Sequence, residues 1–304
     1  MQGTELSGAI PSPPTALGRY WRETLPAYLA LTKPRIIELL LITTVPAMVL
    51  AADGWPGTGL VIATLIGGAL AAGGANALNC FVDRDIDEVM RRTSRRPLPR
   101  HRVTPRAALV FGIALGLAGF GWLAFLVNFP AALLALGALL FYVLIYTMWL
   151  KRITDQNIVI GGAAGAVPAL VGWAAVEGSL ALPAWILFTI VFMWTPPHFW
   201  ALAVRYQGDY AAARVPMMPV VRGPRSTTQQ MVLYAGLTAL SSLLLVPAAG
   251  MGWVYLLAAT GLGAWLLFET ARVHFDPGRA MVLFIRTTYY LALLFVAVMV
   301  DVLI

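Results

Sequence analysis

The chain has 304 residues, enough for two soluble domains, yet 60% of them are hydrophobic and only 12% charged, with a mean hydropathy of +0.78. That balance excludes an ordinary soluble protein and points to a polytopic membrane protein. Twenty-one Lys and Arg against 14 Asp and Glu leave a net charge of +7 and a pI near 9.9, a balance that suggests nucleic-acid binding until the charges are located.

Residues 1–27 are polar and Pro-rich, with no early apolar run and no small-residue cleavage site. They predict a loosely ordered cytoplasmic tail rather than a cleaved signal peptide. Nine apolar segments follow, near 34–52, 60–80, 107–127, 131–150, 157–176, 182–204, 231–249, 252–271 and 282–303. Each approaches the ~20 residues needed to cross hydrocarbon. Lipid offers no hydrogen bonds, so these spans must be helices, and their Gly, Ala and Pro content suits close packing. The expected fold is all-α: one nine-helix domain over residues 28–304. The only cysteine, Cys80, excludes an internal disulfide framework and any cysteine-built zinc or iron-sulfur site, and reads as a small apolar residue.

Every Lys and Arg falls in the N-terminal region or around a connection after an even-numbered span. Arg19, Arg22, Lys33 and Arg35 precede or begin span 1, Arg84 to Arg106 follow span 2, and Lys151 and Arg152 follow span 4. Arg205, Arg214, Arg222 and Arg225 follow span 6, and Arg272, Arg279 and Arg286 surround the last such connection. The opposite connections carry Asp53 and Glu177 and no basic residue. The positive-inside rule therefore places the N-terminus and the long loops in the cytoplasm and the C-terminus outside a bacterial inner membrane. Nucleic acid drops out as a partner, and membrane lipid takes its place.

At the end of span 2 the chain reads Asn76-Ala-Leu-Asn79-Cys-Phe-Val-Asp83-Arg-Asp85-Ile-Asp87-Glu88. At about 100° per residue, Asp83 lies about 40°, Asn76 about 60° and Asp87 about 80° from Asn79, whereas Asp85 points elsewhere. Carboxylates one turn apart repel without a cation between them. The stripe suits a hard divalent ion such as Mg2+, which takes oxygen ligands and typically bridges carboxylates to a phosphate. A solvated helix end is the plainer alternative.

Downstream, Arg91-Arg92-Thr-Ser-Arg95-Arg96-Pro-Leu-Pro-Arg100 supplies guanidinium forks that bind phosphate oxygens, though anionic lipid headgroups attract the same residues. Span 4 ends in Tyr146-Thr-Met-Trp-Leu-Lys151-Arg152-Ile-Thr154-Asp-Gln-Asn157, where the two cations serve topology or a diphosphate. Span 6 ends in Trp194-Thr-Pro-Pro-His198-Phe-Trp-Ala-Leu-Ala-Val-Arg205-Tyr-Gln-Gly-Asp209-Tyr210. If that helix continues, Arg205 and Asp209 flank His198 on a second inward polar stripe, although Gly208 argues for a break. An imidazole within an apolar span is a functional candidate, with a packed, hydrogen-bonded histidine as the alternative. Asp209 follows Asp83 by four spans, which hints at two related halves with acid on the same membrane face.

These segments resemble the UbiA-type intramembrane prenyltransferases, and within them the heme-modifying branch. The resemblance rests on Leu31-Thr-Lys-Pro-Arg35, the Asn79/Asp83/Asp87 motif with Arg95-Arg-Pro-Leu-Pro99, and Tyr146 to Asn157. It continues through Pro197-His-Phe-Trp-Ala-Leu-Ala203 and Asp209-Tyr210 to Pro216-Met-Met-Pro219. It implies nine helices around a central cavity, capped by cytoplasmic loops and open laterally to lipid. The implied reaction joins farnesyl diphosphate, heme b and water to give heme O and diphosphate. Heme A synthase or oxidase-assembly proteins are implied as possible downstream partners.

Carried over residue by residue, the motif makes Asn79, Asp83 and Asp87 ligands of a Mg2+-diphosphate, with Asn76 as neighbour. Asp83, Asp87, Lys151 and Tyr146 form the implied catalytic set, Tyr146 standing near the reacting carbons. Arg95, Arg96, Lys151 and Arg152 become diphosphate contacts, and Arg205 and His198 substrate contacts, His198 through heme iron or a propionate. Asp209 belongs to a second acidic site and is a further metal candidate. Quinone-forming relatives carry Asp-x3-Asp there, whereas this chain has Ala213 in the second place, which puts a second metal in doubt. A UbiA-type enzyme with an aromatic quinone precursor or chlorophyll-type acceptor is the alternative. A transporter or scaffold accounts for the spans but not for the one-faced acidic stripe.

Overall fold

The computed structural model describes residues 16–304, apart from the side chains of residues 16–23, 35, 36 and 38–41. Every regular element among them is helical. A first helix, α1 (Ala16–Thr32), runs up to Lys33, whose left-handed backbone (φ 53°) turns the chain into α2 (Pro34–Ala51). Of the expected loose tail, residues 1–15 lie outside the described residues, whereas 16–27 are helical. Leu31, fully buried, and Ala27 anchor this helix against Ala77, Cys80 and Ala108, so its apolar face holds it to the bundle.

The chain continues through α3 (Thr58–Val82), α4 (Arg84–Val89), α5 (Pro105–Leu126), α6 (Phe129–Ile153), α7 (Asn157–Glu177) and α8 (Leu182–Arg205). Short helices α9 (Gln207–Ala212) and α10 (Met218–Val221) precede α11 (Gly223–Ala249), α12 (Trp253–Phe275) and α13 (Ala280–Leu303). Among the described residues eight helices are long and apolar enough to cross a membrane, and α2, in the place of the first expected span, is described as apolar over Ile42–Ala51. The ends follow local chemistry. Thr104 and Asn128 accept backbone N–H groups at the starts of α5 and α6, each ahead of a proline in the first turn. Gly178 and Gly250, both at positive φ, end α7 and α11. The seventh span begins at Gly223, eight residues before the apolar run at 231, because Thr227 and Thr228 turn their hydroxyls back to helix carbonyls and are fully buried.

Small residues set the helix spacing. A Cβ on Gly74 in α3 would stand 2.7 Å from the backbone nitrogen of Gly116 in α5, and one on Gly172 in α7 would stand 2.4 Å from the carbonyl oxygen of Thr44 in α2. These backbones touch, as packing in lipid favours. Around the bundle α3 packs on α5, α6 on α7, α7 on α8, α8 on α11, α11 on α12 and α12 on α13, and α13 returns to α2. At the end away from the basic loops, the Asp301 carboxylate of α13 accepts the backbone N–H groups of Gly252 (2.6 Å) and Tyr255 (3.0 Å), capping α12.

Candidate functional site

The acidic stripe forms across a helix break. Asp83 ends α3 with φ −84° and ψ 7°, yet its N–H still reaches the Asn79 carbonyl (2.9 Å) and its carbonyl accepts the Asp87 N–H (2.8 Å). The i to i+4 ladder therefore survives the break, and Asn79, Asp83 and Asp87 keep the shared face their spacing predicts.

Both aspartates are buried, Asp83 completely and Asp87 to 2% exposure. Lys151 Nζ (2.5 Å) and Asn79 Nδ2 (2.8 Å) donate to Asp83 Oδ2, while Arg96 Nη1 donates to both oxygens of Asp87 (2.8 and 2.7 Å). Lys33 Nζ donates to Asn79 Oδ1 at 2.6 Å. Burial pushes the Lys33 ammonium down to about 8, helped by the Arg96 charge and opposed by Asp83 and Asp87. For Arg96, burial works against the charged form, but Asp87 outweighs it and holds the guanidinium above its ordinary value. Three cations thus face two carboxylates, and the surplus positive charge suits a polyanionic group. Lys33 is a site residue that the sequence reading counted for topology and within the Leu31-Thr-Lys-Pro-Arg35 segment of the resemblance, without assigning it a contact; its signal was that Lys-Pro step.

One oxygen in this cluster is unmatched. Asp83 Oδ1 is sealed from solvent and has no hydrogen-bond partner among the described residues. A buried carboxylate oxygen without a donor is costly, and a bound cation would satisfy it. Two carboxylates one turn apart beside an amide give the hard oxygen donors that Mg2+ takes, so the residues fit that ion.

The remaining expected residues separate. Asn76 donates to the Thr32 carbonyl (2.9 Å), tying α3 to the end of α1 one turn from Asn79. Arg152 turns away from the cluster and clasps Asp85 in a bidentate pair (2.8 and 2.9 Å) that holds the Asp85 carboxyl down at about 2. It is therefore not gathered with Lys151, which lies about 100° away around the helix. Arg95 and Arg205 are exposed, with no ion pair among the described residues. The i to i+4 ladder continues across Tyr206, but Arg205 is exposed, Asp209 is taken by the arginine loop and His198 meets Thr287 of α13, so the three residues expected on one inward stripe are not gathered. Asp209 instead accepts the Arg92 backbone N–H (3.2 Å), and the Arg92 guanidinium lies over the Tyr206 ring, 3.5 Å from the Tyr210 hydroxyl. Asp209 fastens the arginine loop to α9 and does not join a metal cluster; among the described residues no three His, Cys, Asp or Glu side chains converge as ligands.

The last turns of α6 are wound as a π-helix over Phe141–Leu150, a rare form that often marks functional segments. Thr147 accepts from Asn79 Nδ2 (3.1 Å) and donates to the Tyr142 carbonyl (2.7 Å), binding this segment to the acidic stripe. Tyr146 stacks on Tyr142 with centroids 5.4 Å apart and packs where Gly161 has no side chain; a Cβ there would stand 2.2 Å from the ring. Tyr142 and Asn76 head a cavity of about 160 Å3 that descends between α3, α6 and α7 past Ala75, Gly68 and Val171 to Thr64. It is walled mainly by apolar groups. The arrangement is thus a charged head of cations and carboxylates on an apolar slot.

The sequence pattern of the UbiA prenyltransferase family matches residues 40–285. A relative named protoheme IX farnesyltransferase, from Clavibacter michiganensis subsp. michiganensis, is 54% identical over 280 residues, covering 90% of this chain and 92% of its own length. A solved structure of digeranylgeranylglyceryl phosphate synthase superposes with a TM-score of 0.75 at 18% identity, covering 92% of this chain and 99% of its own. A UbiA homolog from Archaeoglobus fulgidus, bound to DMAPP and Mg2+, superposes with a TM-score of 0.63 at 16% identity over 90% of this chain and 99% of its own. At these identities the two structures speak to the fold alone.

Proposed function

The chain belongs to the UbiA prenyltransferase family, and from that premise we propose that it transfers the farnesyl group of farnesyl diphosphate to a vinyl group of heme b, with water, giving heme O and diphosphate. The observation that carries the chemistry is the unpartnered Oδ1 of buried Asp83, in the cluster with Lys33, Lys151 and Arg96 that adjoins Asn76 and Tyr142, the residues ending an apolar cavity.

Asp83 and Asp87, with Asn79, would hold a Mg2+ ion, which neutralises charge on the leaving diphosphate when bound. Lys151, Arg96 and Lys33 donate to the diphosphate oxygens. Their present partners keep them aimed at the place where negative charge develops, so little reorganisation is needed as the allylic C–O bond breaks. The cavity below Asn76 and Tyr142 takes the farnesyl chain and keeps bulk water from the allylic cation, while the tyrosine rings offer their negative faces to it. The electron-rich vinyl group then forms the new C–C bond, and water captures the porphyrin-side cation and releases a proton. No side chain is assigned as general base, since both aspartates are committed to cations. The basic loops support a reading in which the site faces the cytoplasm and the C-terminus lies outside.

Purified protein supplied with Mg2+, farnesyl diphosphate and heme b is expected to yield a farnesylated hydroxyethyl heme by mass spectrometry. Asp83→Ala is expected to yield none. Turnover of 4-hydroxybenzoate with no heme product would overturn the assignment of the acceptor.

A further inference from the structure

His198 lies outside the diphosphate cluster, and its surroundings fix its chemistry. The imidazole is held between two rings, Trp194 with centroids 4.2 Å apart and Phe284 at 4.4 Å, both stacked. Its Nδ1 is 2.8 Å from Thr287 Oγ1. The Thr287 hydroxyl has one proton and donates it to the Phe284 carbonyl at 2.8 Å, so toward His198 it can only accept. Nδ1 therefore carries the hydrogen, and in the neutral ring Nε2 is left with the lone pair. The Phe284 carbonyl that takes the Thr287 proton also acts on the imidazole, and among the described residues no side-chain hydrogen bond is made by Nε2, which belongs to a half-buried residue and is not among the sealed, unpartnered polar atoms.

A histidine used only for packing does not need its tautomer set and its second nitrogen left open. A metal-binding histidine does: its N–H is held by an outer acceptor so that the other nitrogen faces the metal in a fixed plane. Trp194 strengthens the fixture by donating its indole N–H to the Thr287 carbonyl at 2.7 Å, so one residue of α13 holds both rings. Next to Thr287, Arg286 pairs with Glu269, which Arg272 also approaches at 3.5 Å. Two guanidiniums on one carboxylate leave a surplus positive charge between the end of α12 and the start of α13, which suits a porphyrin bearing acidic side chains.

We propose that His198 Nε2 is the axial ligand to the iron of the heme acceptor, with the Thr287 hydroxyl as its positioning group. This rests on the heme reading above and adds where the acceptor is held: against α8 and α13, with α8 also packing on the α4 and α6 elements beside the diphosphate cluster, so that a vinyl group can face it.

The test is titration of the purified full chain with ferric heme b in the absence of farnesyl diphosphate, read by absorption and resonance Raman spectroscopy. Wild type is expected to show histidine ligation, and His198→Ala to lose it. His198→Gly is expected to regain it on addition of imidazole, which separates lost ligation from misfolding. After reduction of the bound heme to the ferrous state, in which the iron–histidine stretch is observed, Thr287→Val is expected to keep the ligand, lower that stretching frequency and weaken heme binding by at least about tenfold. Unchanged histidine ligation in His198→Ala overturns the proposal. So does a wild type that makes the farnesylated heme yet shows no histidine ligation, an outcome that leaves the reaction itself standing. A wild type that neither binds heme nor yields the product overturns the functional reading and this proposal with it.

Discussion

Lys151, Arg96 and Arg152 look alike in sequence, three cations near an acidic stripe, and their partners separate them. Lys151 and Arg96 sit on the buried carboxylates of Asp83 and Asp87, whereas Arg152 clasps Asp85, whose side chain is 60% exposed. A pair at the water-exposed edge contributes about 0–1 kcal/mol. Cations aimed at a leaving group in a site shielded from water contribute far more. Arg96→Ala and Lys151→Ala are therefore each expected to lower kcat/KM by about 10²- to 10³-fold, the range found for losing one preorganised donor. Arg152→Ala is expected to change it by less than about fivefold. Steady-state rates of heme O formation check both, and equal losses for all three would show that Arg152 also reaches substrate.

At the scale of elements, the acidic register was legible because side chains four residues apart share a face whether or not the helix bends at Asp83. The π-helical winding of α6 was not legible: nothing in Phe141–Leu150 distinguishes it from an ordinary apolar helix, and its winding brings Thr147 to Asn79 through tertiary contacts. Helix spacing gives a sharp expectation. Gly172 of α7 touches the Thr44 backbone of α2, which cannot yield as a side chain can, whereas Gly137 of α6 has nothing within 4 Å. Gly172→Ala is expected to destabilise the protein by about 1–3 kcal/mol through overpacking, and Gly137→Ala to be neutral or slightly stabilising. Thermal unfolding in detergent measures the difference; equal midpoints would mean that α2 and α7 move apart freely.

For the whole molecule, the basic loops predict which ends face the cytoplasm, and the lone cysteine makes that testable. Cys80 is 1% exposed, so a wild-type background labels little. Ser179→Cys, in the connection between α7 and α8, is expected to react with a membrane-impermeant maleimide in intact cells. Arg95→Cys, in the loop between α4 and α5, is expected to react only after lysis. The reverse pattern would invert the topology and place the diphosphate site outside.

Composition and hydropathy alone determined that the chain is a helical membrane bundle, because a lipid-facing backbone has to satisfy its hydrogen bonds within each span. Local spacing determined the Asn79, Asp83 and Asp87 face, because helical geometry depends on near neighbours only. Tertiary structure decided which cations that face holds, since Arg96 and Lys151 reach the carboxylates of Asp87 and Asp83, and Lys33 the amide oxygen of Asn79, from three separate segments. It also decided that Asp209 ties down a loop and that His198 presents Nε2. Both outcomes depend on partners in other segments, Arg92 of the loop after α4 for one and Thr287 of α13 for the other, that no spacing within α8 or α9 could reveal.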